Sequence, residues 1–138
     1  MIASQAMPVS ALMSRDVVAV RPNASLREAA RLLDHHRVDG LPVIDEEVRL
    51  VGVITRADIV RAISGETLWS RSLELPVSEL MSTPPLTVYA DQTLAEAAQA
   101  MHRHRVHRLV VVRRDGVTPI GVISMTDLVA HLAGAPGG

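Results

Sequence analysis

Two short motifs pair a hydroxyl side chain with a carboxylate at the same spacing. TRAD at residues 55–58 and SMTD at residues 124–127 each place a Thr or Ser three residues before an Asp. This spacing is typical of a helix start, where both side chains accept hydrogen bonds from unpaired backbone N–H groups. A carboxylate at a helix start can also accept hydrogen bonds from the two hydroxyls of a ribose. On this pattern alone, both the structural and the functional interpretation are open.

Both motifs belong to a duplicated stretch of sequence. GVITRADIV at residues 52–60 returns as GVISMTDLV at residues 121–129, and VSALMS at residues 9–14 returns as VSELMS at residues 77–82. The offset changes from 68 to 69 residues, so the second copy has one extra residue in the turn before its last strand. Repeats of this length indicate a duplicated supersecondary unit. The predicted boundaries are 7–62 for the first copy, 63–76 for a connection, 77–132 for the second copy and 133–138 for a flexible tail.

Each copy is predicted to contain a capped helix early in its sequence. Ser25 and Thr93 precede runs in which apolar residues recur at helical spacing. Glu28 and Glu96 follow three residues later, and this arrangement predicts a capping box at the start of each helix. The apolar stripes of the two helices are expected to face the core. A second helix is predicted to begin directly after Thr55 and Ser124.

Short apolar runs predict the strands of each copy. LPVI at residues 41–44 and LVVV at residues 109–112 are each followed by a charged turn and a second apolar run. With short strands also at residues 17–20 and 86–88, the order in each copy is β-α-β-β-α. One face of such a three-stranded sheet stays apolar, so two copies should cover each other. We therefore expect an α/β (α+β) fold with two pseudo-twofold-related motifs packed sheet to sheet.

The composition excludes several classes of protein. The chain has 138 residues, 48% of them apolar, no cysteine and a net charge of −1. Disulfide and thiol chemistry are therefore absent, and no run approaches the roughly 20 apolar residues of a membrane span. The charge indicates neither nucleic acid nor an acidic membrane as partner. No secretory signal is visible, so a cytoplasmic protein is expected.

The sequence contains none of the motifs that are typical of enzymes. It lacks a Gly-rich phosphate loop, a nucleophile elbow and paired catalytic carboxylates. Asp58 and Asp127 lie in separate copies, which favours two equivalent binding roles over one acid–base pair. We therefore expect no catalytic residues, no enzyme activity and no required cofactor.

The doubled set of motifs resembles a tandem pair of CBS domains, also called a Bateman module. The motifs recur in the same order in both copies and together cover about residues 7–132. They are the Leu-Met-Ser string, a short first strand, the capped alanine-rich helix, the LPVID-type strand and the G-V-I-T-x-x-D string. Members of this family fold as pseudo-symmetric α/β discs, commonly dimerise and are not catalytic by themselves.

The resemblance implies a regulatory function. CBS pairs bind adenosyl compounds, so the expected ligands are AMP, ADP, ATP or S-adenosylmethionine, held in the clefts between the two motifs. The sequence carries no effector domain beside the two copies. The resemblance therefore implies a stand-alone sensor, a homodimer, that acts on a separate protein effector which the sequence does not identify.

The resemblance also assigns residues to a first ligand site. The string VHRLVVV at residues 106–112 resembles a segment of the γ subunit of AMP-activated protein kinase, in which the His and Arg face nucleotide phosphates. In this family the acid of one copy binds the ribose, while base and phosphate contacts come largely from the other copy. Carried over to this sequence, the first site contains Thr55, Asp58, Leu86, Val106, His107 and Arg108.

A second site follows from the same resemblance as the mirror image of the first. It contains Val18, Val38, Asp39, Ser124 and Asp127. Where the first site has His-Arg, this site has Asp-Gly, and the acid disfavours a phosphate. This second site suits a nucleoside or a cationic adenosyl compound better. We therefore expect unequal occupancy, with the phosphorylated ligand favoured at the Asp58 site.

Three other interpretations compete with a sensor. The chain could be a dimerisation scaffold whose clefts hold no ligand. The histidines at 102, 104 and 107 form an H-x-H-x-x-H string, but positions 102 and 104 diverge on a helix and no cysteine joins them, so no metal site is expected. A local basic cluster at residues 103–114 weakly favours nucleic acid, against the acidic residues 45–47 in the first copy.

Overall fold

The computed structural model describes residues 3–134. The chain contains five helices and five short strands within these residues, and the predicted mixed α and β class is confirmed. The helices are α1 (Leu26–His36), α2 (Arg56–Ile63), α3 (Trp69–Leu73), α4 (Leu94–His104) and α5 (Met125–Gly134). The strands are β1 (Gly40–Ile44), β2 (Leu50–Thr55), β3 (Thr87–Tyr89), β4 (Arg108–Val112) and β5 (Pro119–Ser124). Single 3-10 turns lie at Ser4–Ala6, Val9–Ala11 and Val77–Glu79.

The chain divides into two compact units. Each unit takes its leading segment from the other copy of the repeat: residues 77–82 are the leading segment of the first unit, and residues 9–14 are that of the second. The first unit consists of residues 18–85, and the second joins the described residues up to 17 with those from 86 onward. The backbone of Ser14 exchanges two hydrogen bonds with Val122 of the second copy, at 2.8 and 2.9 Å. Ser82 pairs in the same way with Val53 of the first copy. A string that belongs to one copy by sequence therefore completes the sheet of the other.

The two strands before each closing helix form an antiparallel hairpin. Gly40 lies opposite Thr55 in the first unit, and Arg108 lies opposite Ser124 in the second. In the second unit β3 adds to β4 as a parallel neighbour, so the strand predicted at residues 86–88 is confirmed with a shift of one residue. The hairpin turn is one residue longer in the second unit, as the change of offset predicts.

The strand predicted at residues 17–20 is reduced to a single bridge at Val20, so that prediction is wrong. The N–H of Val20 donates to the carbonyl of Pro42, and the N–H of Ile44 donates to the carbonyl of Val20, both at 3.0 Å. The next bond of a parallel ladder would need an N–H on Pro42, which proline lacks. Val110 stands at the equivalent position of the second copy and keeps its N–H, so β3 can form there.

α4 begins with the complete capping box that the sequence predicts. The Oγ1 of Thr93 accepts from the N–H of Glu96 (3.1 Å), and the carboxylate of Glu96 accepts from the N–H of Thr93 (3.2 Å). Gln92 donates a further hydrogen bond to this carboxylate (3.0 Å). These bonds favour the charged form of the carboxylate and lower the pKa of Glu96, and the bond from Gln92 has the largest effect.

α1 has only half of the predicted capping box. The Oγ of Ser25 accepts from the N–H of Glu28 (3.1 Å), but the carboxylate of Glu28 does not bond back to the backbone of Ser25. The predicted box is therefore wrong at this helix. Ala24 occupies the position of Gln92 and has no amide to hold the carboxylate in place. The exposed Glu28 side chain points to solvent instead.

Each unit has its own core. Both cores are aliphatic, because the chain has one Trp, one Tyr and no Phe. The predicted apolar stripes of α1 and α4 are confirmed as the buried faces of these helices. The core of the first unit contains Val20, Leu26, Ala29, Leu33, Leu41, Val43, Ile54 and Val77. The core of the second unit contains Val9, Met13, Val88, Leu94, Ala97, Met101, Leu109, Val111 and Ile123.

The connection contains a short helix, α3, that the sequence pattern does not predict. Trp69 at its start is 58% exposed, whereas Leu73 at its end packs against the core of the first unit. Ala133 and Gly134 are the last residues of α5, and the rest of the predicted tail, residues 135–138, lies outside the described residues. Among the described helices, none has the length and apolar character to cross a membrane.

The hairpin turn of the first unit holds a valine in the left-handed region. Val48 has φ +61° and is 54% exposed, and its N–H bonds to the carbonyl of Asp45 (3.0 Å). At the equivalent position of the second unit stands Gly116, with φ +80° and the same turn hydrogen bond. A β-branched residue is strained in this region, whereas glycine is not.

Replacing Val48 by asparagine should therefore stabilise the protein. Asn tolerates the left-handed region, so Val48→Asn is expected to raise the free energy of unfolding by about 1 kcal/mol. Urea denaturation followed by far-UV circular dichroism measures this change. Val117→Asn in the other hairpin is the control and should have no stabilising effect, since Val117 does not have a positive φ. An equal gain in unfolding free energy in both variants would contradict backbone strain at Val48.

The leading segments press directly onto glycines in β2 and β5. A Cβ on Gly121 would lie 2.7 Å from the Sδ of Met13 and 2.8 Å from the carbonyl oxygen of Ser14. The equivalent atom on Gly52 would meet the carbonyl oxygen of Ser82 at 3.1 Å. A backbone oxygen in a bridged strand cannot move aside as a flexible side chain can. These glycines are therefore required by the close approach of the leading segments.

Alanine at position 121 should be destabilising for this reason. Gly121→Ala is expected to lower the free energy of unfolding by about 1–3 kcal/mol, because overpacking forces the leading segment away from β5. Gly40→Ala is the graded control, since the nearest atom to its Cβ is a side-chain methyl of Thr55 at 3.3 Å. Thermal unfolding of both variants gives the comparison, and a larger loss for Gly40→Ala would contradict this packing.

Candidate functional site

Asp58 is locked into the start of α2 by reciprocal hydrogen bonds. Its Oδ2 accepts from the N–H of Thr55 (2.8 Å), and the Oγ1 of Thr55 accepts from the N–H of Asp58 (3.1 Å). The predicted capping role of both residues is therefore confirmed. The box fixes the direction of the carboxylate, and Asp58 is only 3% exposed.

The second oxygen of Asp58 has two further donors. Its Oδ1 accepts from the hydroxyl of Ser82 (3.3 Å) and forms an ion pair with the guanidinium of Arg61 one turn along α2. The side chain of Arg61 is 69% exposed, so the pair joins a buried acid to a solvated base. Sequence reasoning assigned no role to either residue. Arg61 could have been found from its spacing, whereas Ser82 lies 24 residues away and gives no local signal.

Asp127 has the same cap and fewer further contacts. Its Oδ2 accepts from the N–H of Ser124 (2.9 Å), and the Oγ of Ser124 accepts from the N–H of Asp127 (3.1 Å). Ala130 stands where the first copy has Arg61. Within residues 3–134, no side chain donates a hydrogen bond to the Oδ1 of Asp127, and this residue is half-buried. The two capped acids are therefore chemically unequal.

In the first unit the loop before β1 lies beside the start of α2. The N–H of Arg56 donates to the carbonyl of Asp39 (2.9 Å), and its Nε donates to the carbonyl of Val38 (3.1 Å). The guanidinium also lies 3.7 Å from the carboxylate of Asp39, which is exposed. The sequence-predicted residues Val38, Asp39, Thr55 and Asp58 therefore meet at one end of the β1–β2 hairpin.

The second unit repeats this arrangement with different charges. The N–H of Met125 donates to the carbonyl of His107 (2.8 Å), which brings the loop before β4 to the start of α5. Arg108 follows as the first residue of β4, opposite Ser124. The Nε of Arg108 is buried and has no hydrogen-bond partner within the described part of the chain. A buried guanidinium N–H without an acceptor is unfavourable, so this position suits an anionic ligand.

The aliphatic residues predicted for the sites lie at the edges of the cores. Val18 and Val38 are partly buried against the core of the first unit. Leu86 and Val106 are partly buried against that of the second. Each pair leaves apolar surface that could contact an adenine ring, which has no aromatic partner among the predicted site residues.

The histidines of the copies do not converge on a metal. His35, His36, His102 and His104 are exposed in the last turns of α1 and α4. In the part of the chain that the structure describes, no three His, Cys, Asp or Glu residues are grouped in a way that could hold a metal ion.

Comparison with known proteins identifies the family. The profile of the CBS domain matches residues 9–65 and again residues 77–134. The chain belongs to the CBS domain family. The resemblance stated from the sequence motifs is therefore confirmed, and so is the doubled organisation that the 68-residue offset indicates.

Curated relatives include a short CBS protein and the CBS part of an enzyme. The chain is 32% identical to the CBS domain-containing protein YhcV of Bacillus subtilis over 119 residues, which cover 86% of this chain and 81% of that protein. It is 37% identical over 114 residues to an inosine-5'-monophosphate dehydrogenase of Korarchaeum cryptofilum. That match covers 83% of this chain but 22% of the dehydrogenase, so the chain spans about a fifth of that enzyme.

Solved CBS pairs have the same fold. The CBS pair of protein MJ0100, in complex with 5'-methylthioadenosine and S-adenosyl-L-methionine, is 26% identical with a TM-score of 0.81, covering 93% of this chain and 97% of that one. CBSX2 of Arabidopsis thaliana, in complex with AMP, is 32% identical with a TM-score of 0.80, covering 91% and 96%.

Each unit of this CBS pair holds one capped acid together with the loop residues of its own unit. Asp58 shares the first unit with Val38 and Asp39, while Asp127 shares the second with His107 and Arg108. The family resemblance instead combines Asp58 with His107 and Arg108 across the copies. That combination stays a prediction.

Proposed function

We propose that this chain is a regulatory CBS pair that binds adenosine-containing small molecules and catalyses no reaction. The carboxylates of Asp58 and Asp127 carry this proposal, because each is oriented by a cap at a helix start. A fixed acceptor of this kind suits the vicinal hydroxyls of a ribose. Related CBS pairs bound to AMP, to 5'-methylthioadenosine and to S-adenosyl-L-methionine support the class of ligand.

The phosphorylated ligand, AMP, ADP or ATP, is proposed for the site of Asp58. In the combination that the family resemblance implies, Thr55 and Asp58 bind the ribose, and Leu86 and Val106 contact the base. The phosphate would then meet His107 and Arg108. The buried, unpartnered Nε of Arg108 supports an anion at that residue.

The site of Asp127 is proposed to hold a nucleoside or S-adenosylmethionine. Its other members by resemblance are Val18, Val38, Asp39 and Ser124. The carboxylate of Asp39 is exposed and lies 3.7 Å from the guanidinium of Arg56, and compared with the His-Arg of the other site it would disfavour a phosphate and favour a sulfonium cation. Both sites would report ligand levels in the cytoplasm to a separate effector protein.

Loss of the ribose acceptor should weaken nucleotide binding. Asp58→Ala is expected to lower the affinity for AMP about 10-fold to 100-fold, since a hydrogen bond to a charged group contributes about 1.5–3 kcal/mol. Arg108→Ala should weaken AMP by a similar factor but leave adenosine unchanged, because adenosine has no phosphate. Isothermal titration calorimetry with AMP and adenosine separates the two effects.

Asp34→Ala is the matched control for these titrations, since it removes an exposed acid in the last turn of α1. Unchanged AMP affinity in Asp58→Ala would contradict the ribose assignment. A wild-type protein that binds neither AMP, ATP nor S-adenosylmethionine would favour the alternative, a CBS scaffold without a ligand.

The closing helix of the second unit supports the proposal of a homodimer. Met125, Val129 and Leu132 are 40%, 65% and 63% exposed and recur at helical spacing, so α5 presents an apolar stripe. A second copy of this chain is the proposed partner, because a twofold contact brings the same stripe onto itself.

A charge within this stripe should separate the subunits. Leu132→Glu is expected to raise the dimer dissociation constant at least 10-fold, because the carboxylate would be buried against an apolar partner. Analytical ultracentrifugation measures the shift, with Thr126→Glu, an exposed polar position on the same helix, as the control. An unchanged dimer in Leu132→Glu would contradict an interface through α5.

A further inference from the structure

The ion pair between Arg61 and Asp58 occupies the oxygen that the cap leaves available. The backbone of Thr55 uses Oδ2, so further ligands of the carboxylate must turn to Oδ1 or to the remaining lone pair of Oδ2. Oδ1 already accepts from Ser82 and from Arg61. A carboxylate oxygen has two lone pairs, and both lone pairs of Oδ1 are therefore engaged.

Only one lone pair, on Oδ2, remains for a ligand, so a ribose that donates both of its hydroxyls to this carboxylate must displace one of the donors on Oδ1. Arg61 is the one that can leave, because its side chain is 69% exposed and water can solvate the released guanidinium. The backbone of Ser82 is fixed by two hydrogen bonds to Val53, so its hydroxyl stays beside Oδ1 unless its short side chain rotates, and it carries no charge for water to solvate. Ligand binding at Asp58 is therefore a competition between two hydroxyls and one arginine.

The second copy lacks this competitor. Ala130 replaces Arg61, and within residues 3–134 no side chain donates to the Oδ1 of Asp127. The capping bonds of the two acids differ by no more than 0.1 Å, so the helix starts do not account for a difference in binding.

We propose that Arg61 is a specificity-determining residue that occludes the carboxylate of Asp58 and so raises the ligand concentration at which this site fills. The inference rests on the proposed binding of ribose by Asp58 and Asp127. It adds a regulatory difference between the two sites: the acid of the second copy accepts a ribose directly, and that of the first accepts it only after Arg61 has moved away.

Single-site proteins test this competition. In an Asp127→Ala background only the Asp58 site remains, and Arg61→Ala is expected to tighten adenosine binding about 3-fold to 10-fold. In an Asp58→Ala background Arg61→Ala should change nothing, whereas Ala130→Arg should weaken adenosine by a similar factor. Calorimetry with adenosine gives the affinity of each of these proteins, and Arg31→Ala, which removes an exposed arginine of α1, controls for the change in net charge.

The outcomes separate this inference from the proposed function. If Arg61→Ala leaves the adenosine affinity of the Asp127→Ala protein unchanged, or weakens it, the occlusion is overturned. The proposed sensor function then stands unaffected. AMP that is weakened by Arg61→Ala while adenosine is unaffected makes Arg61 a phosphate ligand, which also overturns it. A wild-type protein that binds none of adenosine, AMP, ATP and S-adenosylmethionine refutes the proposed function, and the inference falls with it.

Discussion

The reciprocal hydrogen bonds between an acid and the backbone of its cap residue are the constraint on which the proposed sites depend. In α2 and in α5 they set the first residue of the helix and at the same time the direction of the carboxylate. The structural and functional interpretations of the Thr-x-x-Asp pattern are therefore not alternatives. A carboxylate that satisfies one N–H with one oxygen still has acceptor capacity for a ligand, already oriented by the helix.

The exchange of leading segments makes each unit depend on both copies of the repeat. Val9 and Val77 are fully buried, yet each lies in the core of the unit built mainly from the other copy. One copy alone would lack this part of its core and the strand that bridges to β2 or β5. The exchange requires glycine at positions 52 and 121, because the leading segments pass too close to β2 and β5 for a side chain there. Each unit therefore has a complete core only when both copies are present.

Small differences between the copies produce local asymmetry without changing the fold. Pro42 removes one donor and thereby the first strand of its unit, while Val110 retains it. Arg61 and Ala130 differ by a charge that reaches the carboxylate of Asp58 and has no counterpart at Asp127. Backbone hydrogen bonding and packing tolerate such substitutions, whereas the electrostatics of a binding group do not. A duplicated protein can therefore keep one architecture and acquire two unequal sites.

The sequence by itself determined the elements whose signals are local. The caps at Thr55, Thr93 and Ser124, the helical stripes and the strand pairs follow from spacing, because hydrogen bonds three residues apart and side-chain periodicity are properties of a short segment. Only the tertiary structure decided which copy receives each leading segment, and that Ser82 joins the carboxylate of Asp58. Those contacts join residues far apart in the chain, and their geometry depends on how the whole unit packs.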